Sequence, residues 1–175
     1  LLLFPYMQMV TVISKEVLNV GPLLMGILMA SDGMGALIGS IGIASQNRML
    51  YHGKVFLYGS LLSLAALFLF SNSAWYLLSL PLLLFLGIGT SGFGTMQSTI
   101  VLLVAKPEFR GRALGVVTIA IGAGPVGSLI IGAVSEWIGS PSALMITSVL
   151  GFFLLAISVL SLQAIRDKIL PPVMQ

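Results

Sequence analysis

The sequence predicts an all-α membrane protein, a six-helix transmembrane bundle built as a 3+3 inverted repeat. The first observation is composition: the 175 residues are 58% hydrophobic and 7% charged, with a mean hydropathy of +1.11. A soluble domain carries about 25% charged residues. The second is that apolar residues fall into long runs, and the third is that cations concentrate at alternate polar breaks. A soluble globule of this size cannot cover so much apolar surface, so lipid must surround most of the chain.

Six apolar runs account for the six predicted helices, because about 20 apolar residues span a bilayer. The runs cover residues 1–14, 20–44, 55–71, 75–105, 113–135 and 142–163. The first is too short to span alone, and we expect it to belong to a truncated helix of a fragment. The fourth is long enough to tilt or to extend beyond the membrane. Residues 1–163 are therefore the predicted transmembrane domain, and residues 164–175 are a polar tail.

The distribution of cations predicts which helix ends face the cytoplasm. Lys15 is the one cation in the first, third and fifth breaks. The other seven, in the second, fourth and sixth breaks, are Arg48, Lys54, Lys106, Arg110, Arg112, Arg166 and Lys168. This split follows the positive-inside rule for six spans and predicts a cytoplasmic C-terminus. We expect the protein to lie in the plasma (inner) membrane. Trp75, Tyr76 and Trp137 fall near the predicted outer boundaries, as interfacial aromatic residues do. Eight cations are too few for a nucleic-acid surface, so no nucleic-acid partner is expected.

A weak internal repeat accompanies this pattern. Residues 33–40 resemble residues 122–128, and their Gly-Ser pairs lie 88 residues apart, each in the second helix of a three-helix group. With three spans in each group, the second group must run inverted, as in many secondary transporters.

Asp32 is the one acid well inside an apolar run. A carboxylate at this depth is expensive and is expected to face protein or water rather than lipid. Gly35, Ala36 and Gly39 follow it at helical spacing and form a face of small residues. Two interpretations remain open. Asp32 either couples protons or contacts a cation in a central cavity, or it is a protonated or hydrogen-bonded acid at a helix contact or local break.

The fourth run carries polar residues at helical spacing. Ser91, Thr95 and Ser98 form one stripe, and Thr90 and Gln97 form an adjoining stripe. Gln97 has the strongest hydrogen-bonding group among them, so Gln97 and Thr95 join Asp32 as candidate residues for substrate binding or ion coupling. The alternative is that these side chains only form hydrogen bonds between helices.

Two further features suggest conformational gating. The loop from Lys106 to Arg112 holds three cations and one acid, Glu108. Arg110 and Arg112 either anchor the topology or act with an acid as a latch on the cytoplasmic side. Gly124-Pro125 interrupts the fifth run, where proline removes a helix hydrogen bond and typically kinks the helix.

The sequence contains no recognisable catalytic set. Cysteine is absent and His52 is the one histidine, so a conventional His or Cys metal site cannot form. No nucleophile elbow or dinucleotide fingerprint is present. We therefore expect neither an enzyme nor a bound metal or cofactor.

Three segments carry motifs that can be compared with a known family. Residues 5–40 contain Ser14-Lys-Glu-Val-Leu-Asn and Gly35-Ala-Leu-Ile-Gly39-Ser40. The fifth run is opened by Arg110-Gly111-Arg112-Ala-Leu-Gly115, and it contains Gly124-Pro125-Val-Gly127-Ser128 followed by Gly132. These segments resemble the seventh and eighth helices and the eleventh helix, with its opening turn, of the major facilitator superfamily. The likeness is to its drug-efflux-like and siderophore-exporter-like members.

One loop departs from that family pattern. The family has Gly-x-x-x-Asp-Arg/Lys between its eighth and ninth helices, whereas this chain reads Gly42-Ile-Ala-Ser-Gln46-Asn47-Arg48 and lacks the acid.

The resemblance implies a function. The chain would be the C-terminal half of a twelve-helix secondary transporter, whose two halves rock about a small-molecule site near the midplane. Its partners would be the substrate, protons, the lipid bilayer and an N-terminal six-helix half absent from this chain. We expect a proton-coupled exporter. The alternative is a non-transporting membrane scaffold or receptor-like bundle.

Overall fold

The computed structural model describes residues 6–45 and 52–161, and every regular element within them is helical. The α-helices are α1 (Tyr6–Glu16), α2 (Pro22–Ala44), α3 (His52–Ser71), α4 (Tyr76–Val104), α5 (Arg110–Gly122), α6 (Gly124–Ile138) and α7 (Ser140–Ser161). A single 3₁₀ turn, Pro107–Phe109, precedes α5. The loop that departs from the family pattern, at Gln46-Asn47-Arg48, and the tail at 164–175 lie outside the described residues.

Five helical stretches in the described part are long and apolar enough to cross a membrane. They are Pro22–Ala44, His52–Ser71, Tyr76–Val104, Pro107–Ile138 and Ser140–Ser158. α1 has 11 described residues, fewer than a span requires. α4 has 29 residues, about 44 Å at the helical rise, which exceeds the hydrocarbon thickness of about 30 Å. The fourth predicted helix therefore extends beyond the hydrocarbon or tilts within it.

The fifth span is divided into two helices. α5 ends at Gly122 and α6 begins at Gly124, with Ala123 (φ −76°, ψ −1°) between them. Pro125 lies in the first turn of α6, where its missing N–H costs little. The interruption predicted at Gly124-Pro125 is thus present, and the helices separate just before that pair.

α2 and α4 run parallel and approach closely through glycines. A Cβ atom at Gly35 would collide with the backbone carbonyl of Leu84, and one at Gly87 would collide with the backbone carbonyl of Asp32. Farther along both helices, Gly39 faces Ser91 and the backbone of Ile88. The small-residue face expected from the sequence is therefore the contact surface between these two helices.

α3 packs against α4 in the antiparallel sense. Gly59 faces the backbone of Gly89 and Gly92, and Gly89 in turn faces Ser63. On another face of α3, Leu64 contacts Gly151 and joins α3 to α7. The core lies between these helices and α1 and α2. Its largest fully buried apolar side chains are Ile13, Leu28, Leu67, Phe70, Leu83, Leu86 and Leu144.

Two hydrogen bonds show that the α1–α2, α3–α4 and α6–α7 connections lie at the same end of the bundle. The Tyr76 hydroxyl, at the start of α4, donates to the Leu24 carbonyl at the start of α2 (3.1 Å). The Ser140 hydroxyl, at the start of α7, donates to Glu16 Oε2 at the end of α1 (3.4 Å). The connections that carry few cations in the sequence therefore share one end.

Candidate functional site

The α1–α2 hairpin brings Tyr6 beside Asp32. The chain reverses around Asn19, whose φ of +49° lies in the left-handed region that asparagine tolerates better than most residues. Tyr6 and Asp32 each lie thirteen residues from Asn19, so an antiparallel hairpin puts them at the same depth. Asp32 occupies the middle of α2, about ten residues from each end.

The Asp32 carboxylate has one satisfied oxygen and one unsatisfied oxygen. Tyr6 Oη donates to Asp32 Oδ2 at 3.0 Å. Asp32 Oδ1 is buried and has no hydrogen-bond partner in the structure. A buried polar atom without a partner is costly, and such atoms often mark a ligand, a water or a proton that belongs there. Oδ1 is therefore the oxygen of this pair that lacks a partner among the described residues.

α4 forms the back of the site. Gly87 lies against the backbone of Asp32 and Ala36, and its missing side chain allows that approach. One turn farther on, Thr90 donates to the Gly87 carbonyl at 3.0 Å, and its side chain lies beside Tyr6. Three helices thus meet around one carboxylate.

A cavity of about 130 Å³ adjoins the carboxylate. It is lined by Tyr6, Met7, Val10, Met29, Asp32 and Leu83. A water needs roughly 10–15 Å³ of such space and two to four polar partners. Tyr6 and Asp32 supply the polar side chains of this lining, so the cavity can hold water or a small polar group against Asp32.

Thr95 and Gln97 lie away from Asp32. They follow Gly87 by eight and ten residues, or about 12 and 15 Å along α4. Thr95 is exposed and Gln97 is partly buried. The structure therefore does not bring the three predicted residues into one site. The stripe hydroxyls of Thr90 and Ser91 donate to carbonyls of their own helix, at 3.0 and 2.8 Å, rather than across helices.

The four predicted gating residues occupy two separate places. Arg110 begins α5, and its Nε donates to the Ala105 carbonyl at the end of α4 (3.4 Å). Arg112 is exposed. Gly124 is buried and Pro125 is exposed at the break between α5 and α6. Arg110 therefore joins two helix ends through a backbone acceptor.

Metal-binding side chains do not cluster in the described part of the chain. Among residues 6–45 and 52–161, no group of three or more His, Cys, Asp or Glu residues could hold a metal ion.

Comparison with known proteins identifies the family. A family model described as Major Facilitator Superfamily matches residues 2–172. The chain belongs to the Major Facilitator Superfamily. Members of this superfamily are transporters, and the five membrane-length helices agree with an integral membrane protein. No curated protein and no solved structure matches the chain.

Sequence reasoning missed Tyr6 in this member of the Major Facilitator Superfamily. A signal was present, because Tyr6 and Asp32 are equidistant from Asn19, the last residue of the first polar break. Pairing polar residues across each predicted hairpin would have found it. The contribution of Gly87 had no comparable signal, because it depends on how α2 and α4 pack.

Proposed function

We propose that this chain is the C-terminal six-helix half of a secondary transporter that moves small molecules by alternating access, with Asp32 as its proton-coupling residue. The observation that carries the proposal is that Asp32, in the middle of a membrane helix, lines a cavity and has a buried Oδ1 with no partner among the described residues. Acids in membrane segments are costly and are typical of proton and ion pathways.

The chemistry of the pair supports a coupling role. In the ionised state, the Tyr6 hydroxyl stabilises the charge through Oδ2. The carboxylate can then take a proton from water or from a cationic group in the cavity that Asp32 lines. Protonation removes the charge, and with it the cost of placing Asp32 in an apolar environment. The two states therefore favour different surroundings, as a coupled conformational change requires.

Thr95, Gln97 and the gating residues are assigned secondary roles in this proposal. Thr95 and Gln97 lie on α4 between the Asp32 level and Lys106, so they suit a substrate path toward that end. Gly124-Pro125 supplies a flexing point between α5 and α6. Arg110 and Arg112 lie at the beginning of α5, where they suit a cytoplasmic gate.

The sequence pattern supports the remaining parts of the proposal. The Gly-Ser repeat lies in α2 and at the α5–α6 break. This placement favours two three-helix groups, the second inverted relative to the first. The efflux-like turn at Arg110-Gly111-Arg112 favours export, and the cation distribution favours a cytoplasmic C-terminus. The proposed location is the plasma membrane.

Transport by Asp32→Asn in the complete protein tests the proposal. Proteoliposomes with an imposed pH gradient are screened for substrate movement, with Glu136→Gln as a matched loss of charge at an exposed acid near the end of α6. Asp32→Asn should insert normally but lose the dependence of transport on the gradient, whereas Glu136→Gln should behave as wild type. Gradient-dependent transport by Asp32→Asn at the wild-type rate would overturn the coupling role.

A further inference from the structure

An apolar groove lies between α3 and α7, away from Asp32. It has a volume of about 570 Å³ and is lined by Leu57, Leu61, Val149, Phe152, Phe153, Leu155 and Ala156. The lining contains no polar residue, whereas the cavity at Asp32 contains two. A volume of this size lies within the range of ligand sites, and its lining suits a hydrocarbon.

The length of the groove indicates what occupies it. Val149 to Ala156 spans about 10 Å along α7, roughly a third of the hydrocarbon thickness. A transmembrane helix from another subunit would require a matching surface along the full thickness of the bilayer. A lipid acyl chain needs such a surface within one leaflet only. The groove therefore fits an acyl chain better than a helix.

Two polar residues of α3, Lys54 and Tyr58, lie within one helical turn of Leu57, which lines the groove. Lys54, Leu57 and Leu61 have the spacing i, i+3 and i+7, so they share one face of α3. Lys54 is exposed one turn before Leu57, near the beginning of α3, and the 66% exposed Tyr58 is next to Leu57. Lysine and tyrosine are the residues that meet headgroups at a membrane interface.

We propose that this groove, together with Lys54, is a binding site for one anionic phospholipid in the leaflet that holds the beginning of α3. The acyl chain fills the apolar groove and the phosphate lies against Lys54 and Tyr58. Charge complementarity at Lys54 selects an anionic headgroup over a zwitterionic one. This site is independent of the transport proposal.

Native mass spectrometry of the complete purified protein tests this site. The probes are phosphatidylglycerol and phosphatidylcholine with identical acyl chains. Wild type should retain phosphatidylglycerol about fivefold more than phosphatidylcholine, the preference expected from one lysine near a membrane surface. Lys54→Gln should remove that preference, whereas Lys106→Gln, an exposed lysine outside the groove, should keep it.

A second pair of variants tests the groove itself. Ala156→Phe fills it and should lower the retention of both lipids, whereas Ala133→Phe, at an exposed position on α6, should not. Unchanged headgroup preference in Lys54→Gln, or unchanged retention in Ala156→Phe, would overturn the site. A dimer that is lost in Ala156→Phe would show that a second copy occupies the groove and would also overturn it.

Discussion

Tyr6 Oη and Asp32 Oδ2 are joined by a 3.0 Å hydrogen bond between α1 and α2. The bond fixes the carboxylate from one side and leaves Oδ1 buried without a partner. It also links the two helices at the depth of Asp32, in the middle of α2. Any change in the charge of Asp32 therefore acts directly on the contact between these helices.

Replacing Tyr6 by phenylalanine should weaken both stability and coupling. The ring is kept but the donor is lost, so we expect a stability loss of about 1 kcal/mol, typical of a hydrogen bond between membrane helices. Proton-driven transport should also fall. Thermal unfolding and the proteoliposome assay measure the two effects, with Tyr76→Phe, which loses its bond to the Leu24 carbonyl at the start of α2, as the control for transport. If Tyr6 acts through Asp32, Tyr6→Phe should change transport little in an Asp32→Asn background; equal effects in both backgrounds would contradict this role.

The α2–α4 contact should not tolerate a methyl group at Gly35. Its Cβ would collide with the Leu84 carbonyl, so the helices must separate, at a cost of about 1–3 kcal/mol. Gly33→Ala is the matched control, because nothing lies within 4 Å of a Cβ atom there. Thermal unfolding of the two detergent-solubilised variants should show a lower midpoint for Gly35→Ala alone. Similar midpoints would show that these helices do not approach as closely as described.

The connection between α6 and α7 should require glycine. Gly139 has φ +84° and ψ 151°, a conformation essentially restricted to glycine. Gly139→Ala should therefore cost about 1–3 kcal/mol. Gly132→Ala, within α6 and with open space around it, should be neutral or slightly stabilising. Comparison of the yield of folded protein and the unfolding midpoint checks this expectation, and a normal Gly139→Ala protein would refute it.

The break between α5 and α6 should respond to Pro125→Ala. The new N–H can bond to the Ile121 carbonyl four residues earlier and favour one continuous helix. We expect unchanged or higher thermal stability together with slower transport, measured as the maximal rate at equal protein density. Pro22→Ala is the control, because Pro22 begins α2 and no helix precedes it directly. Wild-type rates for Pro125→Ala would argue against a flexing role.

Single cysteines should report the orientation of these 175 residues, which contain none, in a complete protein from which any other cysteine has been removed. Trp137 is 89% exposed at the end of α6, and Lys106 is exposed beyond α4. In intact cells, a membrane-impermeant maleimide should label Trp137→Cys. The same reagent should label Lys106→Cys only after the cells are permeabilised. The reverse pattern would invert the proposed topology.

Much of the fold could be predicted from the apolar runs, because in lipid the backbone of each span must form its hydrogen bonds internally, as a helix does. Runs at 20–44, 55–71 and 75–105 correspond to α2, α3 and α4 within a few residues. The interruption of the fifth run could also be predicted, because proline acts locally. The exact position of the break, at Ala123, could not be predicted, since the residues on both sides are ordinary helix formers or glycines.

The site could be predicted from the sequence only in part. Asp32 stands out because a charge within an apolar run is expensive wherever the run packs. Gln97 and Thr95 share its polarity, but helical rise places them about 15 and 12 Å from the Gly87 level. The distances of Gln97 and Thr95 along their helix could have been counted from the sequence. The sequence does not show which helices pack against each other.

The sequence by itself determined that this is a helical membrane protein, where its spans lie and which acid lies well inside a span. These properties follow from the transfer of single side chains and backbone groups between water and lipid, so local composition is sufficient. The tertiary structure alone decided that Tyr6 satisfies one oxygen of Asp32, that α4 backs the pair and that Tyr6 and Asp32 line a cavity. Those relationships depend on close packing between distant segments, where a missing Cβ at Gly87 determines which backbones can touch.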